Sequence, residues 1–316
     1  MIVKNIKIIA SLSLLWPLIS YAGCNQFELY NNIDRERLWE DFSYLASDKM
    51  QGRKNQSSGS FLAQEFLISR FSEIGLKSFT QEQKYRLPFR YETTFSHVDG
   101  VNIGGYFIGK TFPQKFIVIT AHYDHLGMRG NKIFNGADDN ASGVAGLLAI
   151  AEKIAQQGAE HSIIFLATDA EEKGLYGSRA FVENPPVELS QIKYNLNLDM
   201  ISQNQGKSRL YVSGARYYLP FKEVIAQATD EAGLCLVNQH RRNRRGSAMA
   251  FGPDWRKASD HASFGKVDIP YLFVGVGEHI YYHTEKDTVE SVDPDFFQAA
   301  VETSFNILKL MDKLTE

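Results

Sequence analysis

Short, continuously apolar segments alternate with helical segments through the middle of the chain, and this alternation strongly constrains the fold. Residues 116–121 (FIVITA), 162–167 (SIIFLA) and 270–274 are predicted to be buried strands, while residues 141–157 carry apolar side chains at helical spacing. Continuously apolar strands are typical of a parallel sheet whose two faces are both covered by helices. The sequence therefore predicts an α/β fold with a mostly parallel, mixed central sheet.

Further elements extend the same pattern in both directions along the chain. Helices are also predicted over residues 35–46, 58–74, 174–182, 221–232 and 294–314, and strands over 194–198 and 209–212. No linker or internal repeat divides the chain, and 316 residues, 44% of them hydrophobic, can bury one large core. We therefore expect a single domain over residues 23–316.

The N-terminus shows the three-part pattern of a secretory signal peptide, predicted over residues 1–22. Two lysines precede an apolar run over residues 8–19, which is too short to span a membrane, and small residues follow it. Export to the periplasm or the medium is expected, without a stable membrane span. Lipid attachment at Cys24 is an alternative, and Cys24 could also form a disulfide with Cys235.

Charge along the chain is nearly balanced, with 34 Lys and Arg against 37 Asp and Glu and a formal net charge of −3. Nucleic-acid binding normally requires clustered positive charge, so this class of function is not expected. One basic stretch holds Arg241, Arg242, Arg244, Arg245, Arg256 and Lys257. A solvated loop is the favoured interpretation, and a rim that attracts acidic peptides is the alternative.

Histidine and acidic side chains come directly after the predicted strands or directly before the helix at 141–157. In chain order they are His122, Asp138 or Asp139, Glu171, Glu172, Asp199, and His279 or His283. Ligands of open α/β sheets bind at the carboxyl ends of the strands, where these residues would meet. We therefore expect a functional site at that edge of the sheet.

Two imidazoles and three carboxylates form a ligand set that suits zinc, whereas the two cysteines are too few for a zinc site of their own. Five protein ligands are too many for one catalytic zinc. They match two ions about 3.5–4 Å apart that share a carboxylate and a water, whose pKa falls towards 7. A glutamate beside a ligand glutamate can act as the general base. The prediction is two zinc ions per chain.

At these positions the chain resembles the M28 family of zinc metallopeptidases. The matching stretches are AHYDHLG (121–127), NGADDNASGVA (135–145), TDAEEKGLYGS (168–178), NLDM (197–200), SDHASF (259–264) and YHTEKDT (282–288), with LASDKMQGR (45–53) upstream. The resemblance covers the chain from about residue 38 to its end. It implies the zinc-dependent exopeptidase fold, also described as phosphorylase/hydrolase-like.

The same resemblance implies a role for each site residue. His122 and Asp199 would bind one zinc, Glu172 and His283 the other, and Asp139 would bridge the two. Glu171 would take a proton from the bridging water and pass it to the leaving amine. Asp124 would hydrogen-bond the far nitrogen of His122, and the hydroxyl of Tyr282 would donate to the oxyanion.

Several positions keep alternatives. Asp138 competes with Asp139 as the bridging carboxylate, and His279 competes with His283. His125 and His261 are further histidines near the site. Contiguous residues cannot form a Ser-His-Asp triad, so we expect the SDH sequence at 259–261 to support the site.

The implied activity is that of an aminopeptidase acting on peptide substrates. A carboxypeptidase-like hydrolase of acidic or N-acylated peptides is the second interpretation, and it depends on the arginine cluster. Glutaminyl cyclisation is the third, although cyclases of this fold use a single zinc. A binding module without catalysis is disfavoured, because every ligand position and the base are present.

Overall fold

A computed structural model describes residues 28–204, 208–216, 218–238 and 254–315. The helices are α1 (Arg35–Leu45), α2 (Ser58–Ile74), α3 (Gly143–Gln157), α4 (Tyr176–Glu183), α5 (Pro220–Glu231), α6 (His261–Lys266) and α7 (Pro294–Asp312). The strands are β1 (Arg86–Glu92), β2 (His97–Phe107), β3 (Phe112–His122), β4 (Gly127–Arg129), β5 (Lys132–Phe134), β6 (His161–Thr168), β7 (Ile192–Leu198), β8 (Arg209–Ser213), β9 (Cys235–Asn238) and β10 (Tyr271–Gly275).

Eight strands form one mixed sheet in the order β1-β2-β6-β3-β7-β10-β8-β9. The four central strands, β6, β3, β7 and β10, are parallel to one another. Antiparallel pairing occurs towards the edges, where β2 pairs with β6 and β8 pairs with β10. The predicted α/β fold with a mostly parallel, mixed sheet is confirmed.

Both faces of the central strands are buried, which explains the continuous apolar runs in β3, β6 and β10. Along β3, Ile117 and Ile119 point into the larger core with α1, α3 and α7, whereas Phe116 and Val118 point into a smaller core. Phe264 of α6 packs in that smaller core. A strand alternates its side chains between two faces, so covering both faces requires apolar residues at every position.

The predicted helices and strands are all found, with shifts of a few residues at their ends. The bounds of α2 agree, because Ser57 caps its first turn and Gly75 ends it in the left-handed conformation. β1, β2, the β4–β5 hairpin, β9 and α6 were not among the predicted elements.

Parts of the sequence predictions concern residues outside those described: the signal peptide, Cys24 and the arginines at 241–245. Cys235 itself is disulfide-bonded. Across the described ranges, no helix combines the length and apolarity needed to cross a membrane.

Candidate metal centre

The predicted site residues meet at the carboxyl ends of adjacent parallel strands. β3 ends at His122, Asp199 directly follows β7, and Glu171 lies just past the end of β6. Asp139 comes from the turn before α3, and His283 from the loop between β10 and α7. The topology therefore brings together side chains that are far apart in the sequence.

The two oxygens of one carboxylate face two different histidines. His122 Nε2 lies 3.3 Å from Asp139 Oδ1 and 3.3 Å from Asp199 Oδ1. His283 Nε2 lies 3.1 Å from Asp139 Oδ2 and 3.4 Å from Glu172 Oε2. These contacts form two adjacent three-residue groups that share Asp139.

The carboxylates and imidazoles of these two groups shift each other's pKa values. Burial alone would raise the pKa of Asp139, but the imidazoles of His125, His122 and His283 outweigh it and hold this pKa well below its usual range. Burial lowers the pKa of His283, but Asp139 and Glu172 outweigh that effect and raise the pKa to about 10. Without a metal, the carboxylates are thus compensated by protonated imidazoles.

The residues fit zinc by their chemistry and by the environment of their atoms. Imidazole nitrogens and carboxylate oxygens are standard zinc ligands. Nε2 of His283 is buried and, among the described residues, makes no aligned hydrogen bond. Ligand atoms of His122, Glu171 and Asp199 lie within 4.8 Å of one another, as do those of His125, Asp139 and Glu172. Since zinc displaces protons from its ligands, cations can replace the imidazole protons here.

Glu171 adjoins the group formed by His122 and Asp199. Its backbone amide donates to Asp124 Oδ1 at 3.0 Å, which fixes the turn after β6. Burial raises the pKa of the Glu171 carboxyl well above its usual range, and the negative charge of Asp199 adds to this effect, although His122 opposes it. Such a carboxyl exchanges protons closer to neutral pH than an ordinary glutamate does.

The expected hydrogen bond from His122 to the Asp124 carboxylate is not formed as predicted. Nδ1 of His122 lies 3.1 Å from the backbone carbonyl oxygen of Asp124 and 3.7 Å from its carboxylate Oδ1. The carboxylate oxygen is engaged by the amide of Glu171 instead. Donation from Nδ1 to the carbonyl leaves Nε2 as the ring nitrogen that faces Asp139 and Asp199, so this nitrogen is the one that would bind a metal ion.

The two competing candidates, Asp138 and His279, contact each other outside the shared site. Nε2 of the buried His279 lies 3.1 Å from Asp138 Oδ2, and its Nδ1 accepts the Tyr281 amide at 3.3 Å. Asp138 Oδ1 accepts from the amide and the hydroxyl of Ser202, both at 2.7 Å. The geometry thus brings Asp139 and His283, rather than Asp138 and His279, into the shared site.

Side chains next to the ligand candidates hold the loops in place. Asn140 Nδ2 donates to the Leu198 carbonyl at 3.0 Å, and its Oδ1 accepts the Met200 amide at 3.1 Å, so it holds both neighbours of Asp199. Asp287 accepts the amides of residues 138 and 139 at 2.9 and 3.1 Å. These bonds fix the backbone that carries two of the carboxylates.

His125, for which the sequence alone indicates no role, lies inside the site. Its buried Nδ1 is 2.7 Å from Glu172 Oε1 and 3.7 Å from Asp139 Oδ2. Its ring centroid is 5.7 Å from that of His283. Only its position three residues after His122 hinted at this placement, because nothing in the sequence reveals which way the loop turns.

The SDH sequence at 259–261 supports the site and does not form a triad. The hydroxyl of Ser259 accepts from Asn197 Nδ2 at 2.9 Å, and Asp260 accepts from the hydroxyl of Thr168. His261 Nε2 contacts the Trp255 carbonyl at 2.7 Å, and burial lowers the pKa of this imidazole to about 4. Its ring is therefore neutral and occupied by a structural bond.

A cavity of about 230 Å³ adjoins the metal-ligand candidates. Met200, Trp255, Phe273 and Val276 supply apolar lining, and Tyr282 lies beside His283 with ring centroids 3.9 Å apart. Pockets for drug-sized ligands are usually about 300–1,000 Å³. The cavity is therefore of a size for a single amino-acid side chain.

The described end of the predicted basic stretch is consistent with a solvated loop. Arg256 is exposed and forms an ion pair with Asp254 at 2.6 Å. The arginines at 241–245 lie outside the described residues, so the alternative of a basic rim stays a prediction.

A family model and several known proteins are similar to this chain. The model for "Peptidase family M28" matches residues 102–308. Aminopeptidase YwaD of Bacillus subtilis (strain 168) is 28% identical over 239 residues, which cover 72% of this chain and 48% of that protein. Leucine aminopeptidase 1 of Ajellomyces capsulatus (strain NAm1 / WU24) is 28% identical over 194 residues, or 58% of this chain and 49% of that protein. The chain thus spans about half the length of these relatives.

Solved structures share the fold at lower identity. The crystal structure of Porphyromonas gingivalis glutaminyl cyclase superimposes with a TM-score of 0.70 at 18% identity, covering 87% of this chain and 98% of that one. Its likeness supports the fold alone. A metal site of five protein ligands has to be argued from the residues of this chain.

Proposed function

The chain belongs to peptidase family M28, and from that premise we propose that it is a two-zinc aminopeptidase, which releases single amino acids from the N-termini of peptides. The observation that carries the proposal is the placement of Asp139, whose two oxygens face His122 and His283 separately. A carboxylate shared in this way is what a pair of metal ions requires.

In the proposed enzyme, His122 and Asp199 would hold one zinc, Glu172 and His283 would hold the other, and Asp139 would contribute to both. Bound zinc would supply a water that is acidic near neutral pH and a Lewis acid for the scissile carbonyl. His125 stays outside this set in our assignment. It faces Oε1 of Glu172, while Oε2 faces His283.

Glu171 acts as the proton carrier of the reaction. Its position beside His122 and Asp199 suits a carboxylate that would accept a proton from the attacking water and then deliver it to the leaving amine. The hydrogen bond from the backbone amide of Glu171 to Asp124 holds the turn that carries this side chain beside the site. Transfer of the proton to the amine prevents reversal of the cleavage step.

Tyr282 stabilises the oxyanion by hydrogen bonding. Burial raises the pKa of this phenol far above its ordinary value, and the charges of Asp139 and Glu172 add to the effect. The hydroxyl therefore keeps its proton at every working pH. It can donate that proton in a hydrogen bond to a tetrahedral oxygen that carries negative charge.

The cavity beside the ligands supports removal of one residue at a time. Its volume of about 230 Å³ and its apolar lining by Met200, Trp255 and Phe273 suit a single apolar side chain. Exported location, with a signal peptide at residues 1–22, is part of the proposal and is drawn from the sequence.

Glutaminyl cyclisation is the second candidate. Several structures with the same fold are glutaminyl cyclases, and an aromatic wall such as Trp255 could hold a glutaminyl side chain. The complete five-ligand set argues against it, because a cyclase of this fold needs one zinc. Carboxypeptidase-like action on acidic peptides depends on the arginines at 241–245 alone.

The test replaces the proposed base and counts the metal. Glu171→Gln is expected to lower kcat on leucine p-nitroanilide by about 10²–10⁴-fold, with two zinc ions per chain retained. Glu285→Gln is the matched control, since Glu285 is exposed and pairs with Lys132 at the surface. It should leave the rate unchanged.

Two further substrates separate the alternatives. An N-acetylated dipeptide with a free C-terminal carboxylate should not be cleaved by an aminopeptidase, whereas a carboxypeptidase-like enzyme needs the carboxylate and not the free amine. A glutaminyl peptide that is converted to its cyclised product, together with one zinc per chain, would replace the proposal by cyclisation. Full activity of Glu171→Gln would remove the proposed mechanism.

A further inference from the structure

A segment upstream of the family match lies against the metal centre. The match begins at residue 102, after the 3₁₀ turn Asp48–Arg53 and Asn55. This turn lies within the stretch LASDKMQGR (45–53), for which the sequence alone indicates no role. Its last residue, Arg53, is the largest fully buried side chain of the described residues.

The guanidinium of Arg53 bonds to backbone on both sides of the site. Nε donates to the carbonyl of Tyr123 at 2.8 Å, directly after His122. Nη1 donates to the carbonyls of Asn135 at 2.7 Å and of Leu45 at 2.6 Å, and Nη2 donates to that of Gly136 at 2.9 Å. One planar side chain thus joins the loop that carries His122 to the turn that carries Asp139.

Asn55 reaches the third ligand-bearing loop. Its Nδ2 donates to Asp169 Oδ2 at 2.9 Å, and its Oδ1 accepts from Lys173 Nζ at 2.8 Å. Asp169 and Lys173 flank the proposed base and the ligand Glu172. The first residue of the 3₁₀ turn is also engaged, because its carboxylate accepts from the side-chain amide of Asn135 at 2.7 Å.

The backbone of this segment is held in an unfavourable conformation. Gln51 and Arg53 have φ values of 49° and 48°, in the left-handed region that costs a non-glycine residue about 1–3 kcal/mol. Between them, Gly52 packs so closely that an added Cβ would lie 2.2 Å from the Phe134 carbonyl oxygen of β5. Such conformations persist only where surrounding contacts fix them, and three of the four bonds from the Arg53 guanidinium lead to the site loops.

We propose that residues 48–55 form a brace that holds the three ligand-bearing loops at their working separation, with Arg53 as its main positioning residue. The inference rests on the proposed function in one respect, namely that the loops bind metal. Arg53 is suited to this role by geometry: its donors form a rigid fork, whereas a lysine has one nitrogen and cannot reach four carbonyls.

Positive charge alone does not explain why an arginine occupies position 53. Burial lowers the pKa of Arg53 to about 10, against the opposing effect of Asp139, Asp287 and Asp124, so the guanidinium stays positive at neutral pH. A protonated lysine at this position carries the same formal charge on a single nitrogen. Arg53→Lys therefore separates the hydrogen-bond fork from the charge.

The experiment compares Arg53→Lys with Arg70→Lys. Arg70 is equally buried, but it bonds to Asp41, Glu73 and Glu152 between α1, α2 and α3, on helices that carry no ligand. Zinc affinity is measured by competition with a chromophoric chelator. Arg53→Lys should weaken it by about 10–100-fold, while Arg70→Lys should leave it unchanged and lower only the unfolding midpoint.

A second readout needs no metal. In the chelator-treated protein, Arg53→Lys should speed amide hydrogen exchange in residues 122–125, 135–139 and 169–173, with α1 to α3 unaffected. Arg70→Lys should give the reverse pattern. If Arg53→Lys fails to fold, Asn55→Ala replaces it, with faster exchange expected at 169–173 alone.

Wild-type exchange and wild-type zinc affinity in Arg53→Lys would overturn the brace. Equal loss of affinity in both arginine variants would also overturn it, because that result signals general destabilisation. A wild-type protein that binds no zinc would refute the proposed function, and the exchange pattern would then decide on the brace by itself.

Discussion

Replacing His279 and His283 one at a time should produce opposite defects. His279 is buried, and its Nε2 lies 3.1 Å from Asp138 Oδ2. Removing one partner of a buried charged pair costs about 3–5 kcal/mol. The lower end applies here, because Asp138 Oδ1 keeps both of its donors from Ser202. His279→Ala should therefore lower the free energy of unfolding of the metal-free protein by about 3 kcal/mol, with two zinc ions still bound per chain.

His283→Ala should instead lose metal and keep its fold. The His283 side chain is 36% exposed, and its Nε2 faces the carboxylates of Asp139 and Glu172. Because water can reach the ring, its loss should destabilise the metal-free protein less than the loss of His279 does, and it should leave about one zinc per chain.

Zinc per chain is counted by atomic absorption after gel filtration, and stability is taken from urea unfolding in excess chelator. The reasoning fails if His279→Ala loses an ion at wild-type stability, or if His283→Ala retains both ions.

Three further outcomes follow from the described contacts. Asp312→Asn should destabilise the protein by about 1–3 kcal/mol at neutral pH. Burial opposes ionisation of Asp312, but hydrogen bonds from His161 and from two backbone amides outweigh it and lower the Asp312 pKa. The ionised carboxylate therefore contributes fully above the unfolded pKa of 3.8, and its contribution disappears as pH falls through the lower pKa of the folded state. Acid titrations of both proteins should therefore converge. Phe297→Ala should cost about 3–5 kcal/mol in urea unfolding, because this fully buried ring packs 4.9 Å from Phe42. Chelation should lower the thermal midpoint and added zinc should restore it, since metal binds the folded state; a midpoint independent of zinc would contradict this.

The parallel core could be predicted because its signal is local. β3, β6 and β10 each contain a continuous run of apolar residues, and the helices beside them show helical spacing. The β1–β2 hairpin lacked such a signal. β1 is half exposed and contains Pro88, and β2 contains Gly100, Gly104 and Gly105, all unfavourable for strands taken alone. These strands form because β2 pairs with β6, a long-range contact that sequence patterns do not contain.

The identity of the ligand candidates was also a local signal, since they follow strand ends in order. The hydrogen-bond partners of the residues next to these candidates could not be predicted in the same way. Asp124 was expected at His122, yet its carboxylate accepts the amide of Glu171. Likewise His125 contacts Glu172. These choices depend on the path of each loop, and a change of one or two backbone torsions redirects a side chain by several ångströms.

The site is organised so that the neighbour of one ligand holds the loop of another. Asp124, beside the His122 loop, fixes the amide of Glu171, and Asn140 fixes both neighbours of Asp199. Arg53 joins two of these loops from outside. Residues that share partners in this way are energetically coupled, so their substitutions should not add. When one substitution lets a loop shift, the hydrogen bonds between that loop and its neighbours are weakened as well. A second substitution that removes one of these weakened bonds should therefore reduce zinc affinity less than it does in the intact site.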